Sequence, residues 1–277
     1  MQAARAKTSG RSRCKDRHRC INRKSLYTLC VPRISLLGVS LDAITMDEAV
    51  SRLLVLLHDD HQHHVVTPNS EMLVAASRDL AFLSVLQSAA LALPDSAGLL
   101  WMARWTDQVL PDRVAGVDAV RALASKLSME DTVFLLGAAP GIAEAAGKAL
   151  VTVNPHISIV GTFSGSPSIH HAPAIIERIC AAKPRLLLVA FGAPAQDLWI
   201  AQHLSQFPSV RVAMGVGGTF DFLSGKARRA PRLLQSLGLE WFWRVVCEPR
   251  RWKRILTAVV VFPLLVLRYG KKSPLLG

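Results

Sequence analysis

Three kinds of residue in this chain could do chemistry: one well-placed carboxylate, a row of arginines and two glycine-proline turns. Asp95 ends the apolar run Leu91-Ala-Leu-Pro-Asp95-Ser-Ala-Gly98. A carboxylate in such a turn can take a proton from a hydroxyl, or it can cap the turn into the next helix, and the residues alone leave both readings open. Arg244, Arg251 and Arg254 stand seven and three apart, on one face of a helix. Guanidinium groups suit a diphosphate better than ammonium groups do, although a basic face can equally be solvated or lie on lipid headgroups. Leu187-Leu-Val-Ala-Phe-Gly-Ala-Pro-Ala-Gln-Asp-Leu-Trp199 and Val212-Ala-Met-Gly-Val-Gly-Gly-Thr-Phe-Asp221 each run from aliphatic residues into a turn with polar side chains. That is how a buried parallel strand delivers a ligand-binding loop, with Gln196 in one loop and Gly217, Gly218 and Asp221 in the other. Either turn taken singly reads as well as an ordinary strand-to-helix connection.

Two further stretches point more weakly to chemistry. His58-Asp-Asp-His-Gln-His-His64 crowds potential metal ligands together, but their spacing fits no common zinc pattern. They fall in a helix-to-strand turn, where solvated polar residues belong, so no metal is expected. Thr132-Val-Phe-Leu-Leu-Gly137-Ala-Ala-Pro-Gly141 reads as strand, glycine turn and helix without Gly-x-Gly-x-x-Gly spacing. Gly137 would still bring a phosphate to a helix N-terminus.

The elements that must position these residues alternate strand and helix from about residue 34 to 225. A short strand is expected at Ile34-Ser-Leu-Leu-Gly-Val, then a helix opened by Thr45 with Glu48 as its capping-box partner and running to about His58. Strands at Val65–Thr67, Leu91–Leu93, Thr132–Gly137, Ile157–Phe163, Leu187–Ala190 and Val212–Gly215 are separated by helical segments. The pattern predicts a Rossmann-like α/β fold, a parallel sheet with helices on both faces. The boundaries are a disordered basic extension over 1–32, a catalytic domain over 33–237 and a C-terminal helical appendage over 238–277.

Charge separates the same three parts. The net charge of +13 is +8 over residues 1–32, −5 over 33–225 and +10 over 226–277. In the last part Trp241, Phe242, Trp243 and Trp252 are interleaved with arginine and lysine, and the apolar run Ile255–Leu267 follows, with Pro263 inside it. Thirteen residues are short for a membrane span. Aromatic and basic residues beside a short apolar run fit a segment lying in the membrane interface, the alternative being a helix packed on the body. The aliphatic run adds nothing to phosphate contacts, so nucleic acid is not the expected partner. Five cysteines (Cys14, Cys20, Cys30, Cys180 and Cys247) without a Cys-x-x-Cys pair give no disulfide framework. The N-terminus lacks the apolar core of a signal peptide, and a cytoplasmic location is expected.

Ordered motifs run through the body: Thr67-x-Asn69, Leu93-Pro-Asp95-x-x-Gly98, Arg113-Val-x-Gly116-x-Asp118, Phe134-Leu-Leu-Gly137-x-x-Pro-Gly141, Phe191-Gly-Ala-Pro-x-Gln196 and Gly215-Val-Gly-Gly-x-Phe-Asp221. Arg229-Ala-Pro231, Gly238-Leu-Glu-Trp241 and Arg244-x-x-x-Glu-Pro-x-Arg251-x-x-Arg254 follow. In this order they resemble the WecG/TagA/CpsF glycosyltransferase family, over about residues 33–262. The resemblance implies an inverting, metal-independent transferase with no cofactor. It would pass an N-acetylmannosamine-type or uronic-acid sugar from a UDP donor to a polyprenyl-diphosphate-linked saccharide at the inner face of the cytoplasmic membrane. It implies Asp95 as general base and Thr67, Asn69, Arg113 and Gln196 as pocket lining. Arg244, Arg251 and Arg254 would close over the diphosphate from a membrane-contacting appendage.

The residues allow this reading. Inverting transfer is one displacement, needing a base on the acceptor hydroxyl and positive charge on the leaving diphosphate. No Asp-x-Asp pair is present, so the cations are expected from side chains. Ala195 and Asp197 replace the family's usual lysine and glutamate, and Ser96 a usual glycine, which bears on sugar specificity more than on reaction class. A nucleotide-cofactor oxidoreductase on a similar sheet would need the missing glycine fingerprint, and a non-catalytic membrane scaffold would leave Asp95 dispensable. Self-association is compatible with the apolar surface expected of such a chain.

Overall fold

The computed structural model describes residues 31–231, 234, 240–247 and 252–276, and the expected disordered extension lies almost wholly outside them. Thr45 opens α1 (Met46–Leu57): its side chain accepts from the Glu48 N–H while Glu48 reaches back to the Thr45 N–H, the expected capping box. Asn69 caps α2 (Ser70–Ala76) and Asp79 caps α3 (Leu80–Ser88), so the helical stretch after Thr67 divides in two at Asp79.

Six parallel strands form the main sheet: β3 (His63–Val66), β4 (Leu91–Ala92), β5 (Val133–Gly137), β6 (Ile159–Phe163), β7 (Leu186–Ala190) and β8 (Val212–Gly215), in the order β4-β3-β8-β7-β5-β6. Of the four inner strands, β5, β7 and β8 are buried along their whole length, which is why they read as unbroken apolar runs. One face is covered by α1, α5 (Gly116–Ala124), α6 (Ile142–Val153) and α9 (Thr219–Leu223) around Leu53, Val120, Leu150 and Phe220. The other carries α7 (Ala172–Ala182) and α8 (Ala195–His203) around Ile175, Ile179 and Trp199.

One expectation needs correction. The single strand at residues 34–39 is instead an antiparallel hairpin outside the main sheet, β1 (Arg33–Leu36) and β2 (Val39–Asp42). Leu37 and Gly38 both take positive φ, 50° and 81°, and turn the chain back in two residues. The expected strand at Leu91 is present and is two residues long. Pro94 follows it, and the Ala92 N–H donates to the Asp42 carboxylate at 2.7 Å instead of to another strand.

Beyond the sheet, α10 (Glu240–Cys247), α11 (Trp252–Leu256), a π-helical turn (Thr257–Val261) and α12 (Phe262–Tyr269) form a C-terminal layer. Pro263 has no N–H for the carbonyl one turn back, and the π turn directly precedes it. The apolar run is divided between a covered side, as expected of a helix packed on the body, and an exposed one. Ile255, Phe262 and Val266 are buried, the last two against Leu73, Leu99 and Met102 of α2 and α4 (Ala97–Trp105), while Leu256, Val260, Leu264 and Leu267 are exposed. The layer's end is tied to the hairpin, where Leu37 and Gly38 donate to the carbonyls of Gly270 and Lys271. Among the described residues no helix is long and apolar enough to cross a membrane.

Candidate functional site

Every strand-end loop singled out in the sequence emerges at the carboxyl edge of the sheet. Thr67 and Asn69 follow β3, Asp95 follows β4, Gly137 ends β5, Gln196 follows β7, and Gly217, Gly218 and Asp221 follow β8. Connections leave β5 and β7 toward opposite sides, which opens a crevice at this edge.

Asp95 is half-buried two residues ahead of α4, and its place is set from three directions. Its N–H donates to the Pro68 carbonyl (2.9 Å). Its Oδ1 accepts from the Gly116 N–H (3.2 Å) at the start of α5. The Ser96 hydroxyl lies 3.1 Å from that of Ser70 on α2. Val114 donates to the Pro94 carbonyl (2.9 Å), so the segment carrying Arg113 is laced to the Asp95 loop. The structure therefore brings Asp95, Arg113 and Thr67 to one place, Thr67 lying 3.5 Å from where a side chain on Gly116 would begin.

The Thr67 hydroxyl and the Gln196 side-chain oxygen are spent on the edge itself. The buried Thr67 hydroxyl donates to the Gly215 carbonyl (3.0 Å), binding β3 to β8 beyond their ladder. The buried Gln196 Oε1 accepts from the Gly217 N–H (2.9 Å) and holds the glycine turn. Beside it Asp197 is fully buried, with His64 Nε2 3.6 Å away, and among the described residues neither carboxylate oxygen has a hydrogen-bond partner. At the far end of α8, burial holds His203 below the ordinary histidine range, and Gln206 Nε2 lies 3.0 Å from its Nδ1.

The glycines divide into two kinds. A Cβ on Gly137 would come within 2.8 Å of the Ala190 backbone, and its φ of 101° is left-handed, so packing demands glycine there. Gly217 and Gly218 face open space, which leaves the backbone approachable by a ligand. Asp221 turns toward the chain leaving the sheet, 3.5 Å from Lys226 Nζ.

A cleft of about 250 Å³ opens beside this edge, lined among others by Asn69, Glu71, Arg78, Pro194, Arg254 and Thr257. Asn69 contributes to its wall while its Oδ1 caps α2 through the Met72 N–H (3.0 Å). Arg254 reaches it from α11 and donates to Glu71 Oε2 at 2.6 Å. Glu71 was not singled out in the sequence. Its place two residues after Asn69 in the first turn of α2 was the available signal. Arg229 pairs with Asp118 on α5, joining two of the ordered motifs. Arg244 lies on α10 with its side chain outside what is described, and Arg251 lies outside the described residues. The shared helix face expected of the three arginines runs through residues 248–251, which lie outside the described residues.

The histidine-rich turn is held by pairs instead of a common centre. His58 Nε2 lies 3.1 Å from Asp131, and His63 Nε2 lies 2.8 Å from Asp59. Burial would raise the Asp59 carboxyl, but hydrogen bonds from His63, the Asp60 N–H and His61 outweigh it and hold it below the usual range. Among the described residues no group of three or more His, Cys, Asp or Glu could hold a metal ion.

The chain resembles N-acetylglucosaminyldiphosphoundecaprenol N-acetyl-beta-D-mannosaminyltransferases from several organisms. That of Bacillus subtilis is 33% identical over 210 residues, covering 76% of this chain and 80% of the relative. That of Staphylococcus aureus is 29% identical over 251 residues, covering 87% and 94%. The model of the glycosyl transferase WecG/TagA/CpsF family matches residues 34–275, from the first strand of the hairpin to the end of the C-terminal layer. The chain belongs to the WecG/TagA/CpsF family of glycosyltransferases.

Proposed function

We propose that this glycosyltransferase moves an N-acetylmannosamine-type or uronic-acid sugar from a UDP donor to a polyprenyl-diphosphate-linked saccharide, inverting the anomeric centre, in cell-surface polysaccharide synthesis. The observation that carries the reading is the convergence of Asp95, Arg113, Asn69 and the open Gly217-Gly218 backbone at one sheet edge, with the Arg254 cleft beside it. The relatives named above act, by their names, on a diphosphoundecaprenol-linked N-acetylglucosamine.

In this mechanism the acceptor hydroxyl oxygen attacks the anomeric carbon as its proton passes to Asp95, and the bond from that carbon to the diphosphate breaks. The leaving UDP carries the negative charge. Arg113 and Arg254, with Arg244 and Arg251, supply the compensating cations that a metal would otherwise provide. Thr67 and Gln196 position the loops, Gly137 lets β5 and β7 meet, and Asp221 steadies the exit toward the arginines. The basic, partly apolar C-terminal layer would hold the protein at the inner membrane surface, where a polyprenyl-linked acceptor resides.

The test supplies a panel of UDP-sugars with a short-chain polyprenyl-diphosphate-N-acetylglucosamine acceptor and follows the disaccharide product and its anomeric configuration. A product of inverted configuration from one UDP-sugar without added divalent cation is expected. A retained configuration, or no transfer from any UDP-sugar, would overturn the reading.

A further inference from the structure

The C-terminal layer is not the sole part of the molecule with an unpartnered apolar face. On α4, Trp101 and Trp105 are 53% and 68% exposed, and Val109 just beyond is 69% exposed. Tryptophans one helical turn apart on a surface helix are costly to leave in water. The opposite side of the same helix, Leu99, Met102 and Ala103, packs into the cluster that also receives Phe262 and Val266 of α12. The Phe262 ring lies 3.9 Å from where a side chain on Gly98 would begin, so the two helices lie against each other. Both present their inner faces to a common core and leave their outer faces uncovered.

A third element holds the pair at the same end. Just past α4, Gln108 accepts from the Ser35 N–H (3.0 Å) and donates to the Ser35 carbonyl (2.9 Å). The hydroxyl of that same Ser35 donates to the Lys271 carbonyl (3.0 Å), just past α12. Trp105 and the basic end of α12, with Arg268, Lys271 and Lys272, are thereby fixed to one hairpin strand. Between residues 252 and 276 there are five Lys/Arg and no acid, and in 97–110 Arg104 stands with the single acid Asp107. Arg268 lies over the Tyr269 ring, 5.4 Å from its centroid. Exposed tryptophans, aliphatic residues and a nearly acid-free basic rim are the composition of a surface that settles among anionic headgroups.

We propose that α4 is a second membrane-docking element: Trp101, Trp105 and Val109 enter the interface of an anionic bilayer beside Leu264 and Leu267 of α12. This rests on the reading that the enzyme works at a membrane surface. It adds a consequence for the site. Asp95 precedes α4, whose first and last residues are about 12 Å apart along the axis at the ordinary helical rise. One short, doubly anchored helix then sets the distance from the base to the headgroups, where the diphosphate of a lipid-linked acceptor stands.

Co-sedimentation with phosphatidylglycerol-containing vesicles and with pure phosphatidylcholine vesicles tests this, using the full chain and the W101S/W105S and L264S/L267S variants. The wild type is expected on the anionic vesicles. W101S/W105S should bind them about ten- to a hundredfold more weakly, the scale expected for losing two interfacial tryptophans. It should retain wild-type turnover on a water-soluble short-chain acceptor and lose it on a vesicle-borne one. W105S alone gives the same readout at smaller amplitude should the double variant fold poorly. If W101S/W105S binds like the wild type while L264S/L267S does not, α4 plays no part and the membrane reading survives. If the wild type itself ignores anionic vesicles, that reading falls and this inference with it. A double variant that loses self-association by light scattering but keeps vesicle binding would make α4 an interface between copies and overturn the proposal.

Discussion

At the carboxyl edge of the sheet, the described site residues are held by their own chain: Thr67 by the Gly215 carbonyl, Asp95 by the Gly116 N–H, Gln196 by the Gly217 N–H. In the C-terminal layer the inner face is held as firmly, through Phe262, Val266 and the hairpin, but Leu256, Val260, Leu264 and Leu267 are exposed. These three edge side chains are fixed from within the chain, whereas the layer is covered only on its inner side. The contrast separates two tasks. Passing an anomeric carbon from a phosphate oxygen to a hydroxyl oxygen needs groups held to a fraction of an ångström, which buried hydrogen bonds supply. Meeting a lipid-linked acceptor, the task proposed for the layer, needs an apolar and basic surface left open.

The largest effect that would break or confirm this division comes from the edge. Asp95→Asn keeps size and shape, and an amide can no longer take a proton. Transfer should fall by about 10²–10⁴-fold, the usual contribution of a positioned general base, while vesicle binding stays as in the wild type. Steady-state turnover against the short-chain acceptor measures it. Unchanged turnover would remove Asp95 as the base and leave the edge as a binding surface alone.

Next in size is the packing of the edge. Gly137→Ala would drive a Cβ to 2.8 Å from the Ala190 backbone at a φ of 101°. Strain and overpacking together should cost about 2–4 kcal/mol of stability, seen as a drop of about 5–15 °C in melting temperature. Gly218→Ala is the control, because its added methyl meets open space. Its melting temperature should stay close to wild type while donor affinity falls. Equal melting temperatures for the two variants would mean that the close approach of β5 and β7 is not what requires glycine at residue 137.

Much of the edge was legible because its signals are local. The Thr45-Glu48 capping box, the apolar runs of the inner strands and the turns after them depend on neighbours a few residues away, and the ordered motifs mark which loops carry polar groups. What the sequence missed depends on distant partners. Asp42 of β2 reaches the Ala92 N–H across fifty positions, and the hairpin turn at Leu37-Gly38 is stabilised by contacts with Gly270 and Lys271. The sequence marked Thr67 and Gln196 as candidates, but not the backbone groups they hold, because those lie on or beyond another strand. Nor could periodicity tell which side of the Ile255–Leu267 run would be covered, since its outer side is as apolar as its inner one.

The smallest effect concerns the joint between the two regions. Arg254 of the C-terminal layer donates to Glu71, two residues past Asn69 on the first helix behind the edge, and both side chains keep partial access to solvent. An ion pair of that exposure contributes little to stability, about 0.5 kcal/mol or less, so Glu71→Gln should leave the melting temperature nearly unchanged. Its consequence for binding is of a different kind. If Arg254 serves a diphosphate, the Glu71 carboxylate competes for it, and removing that charge should lower KM by about two- to fivefold with kcat unchanged. The shift should shrink as salt rises and screens the competing charge. A raised KM would mean that Glu71 aims Arg254 instead of restraining it. No change in KM at low salt would mean that Arg254 meets no substrate charge, and the two regions would then share a boundary without sharing a site.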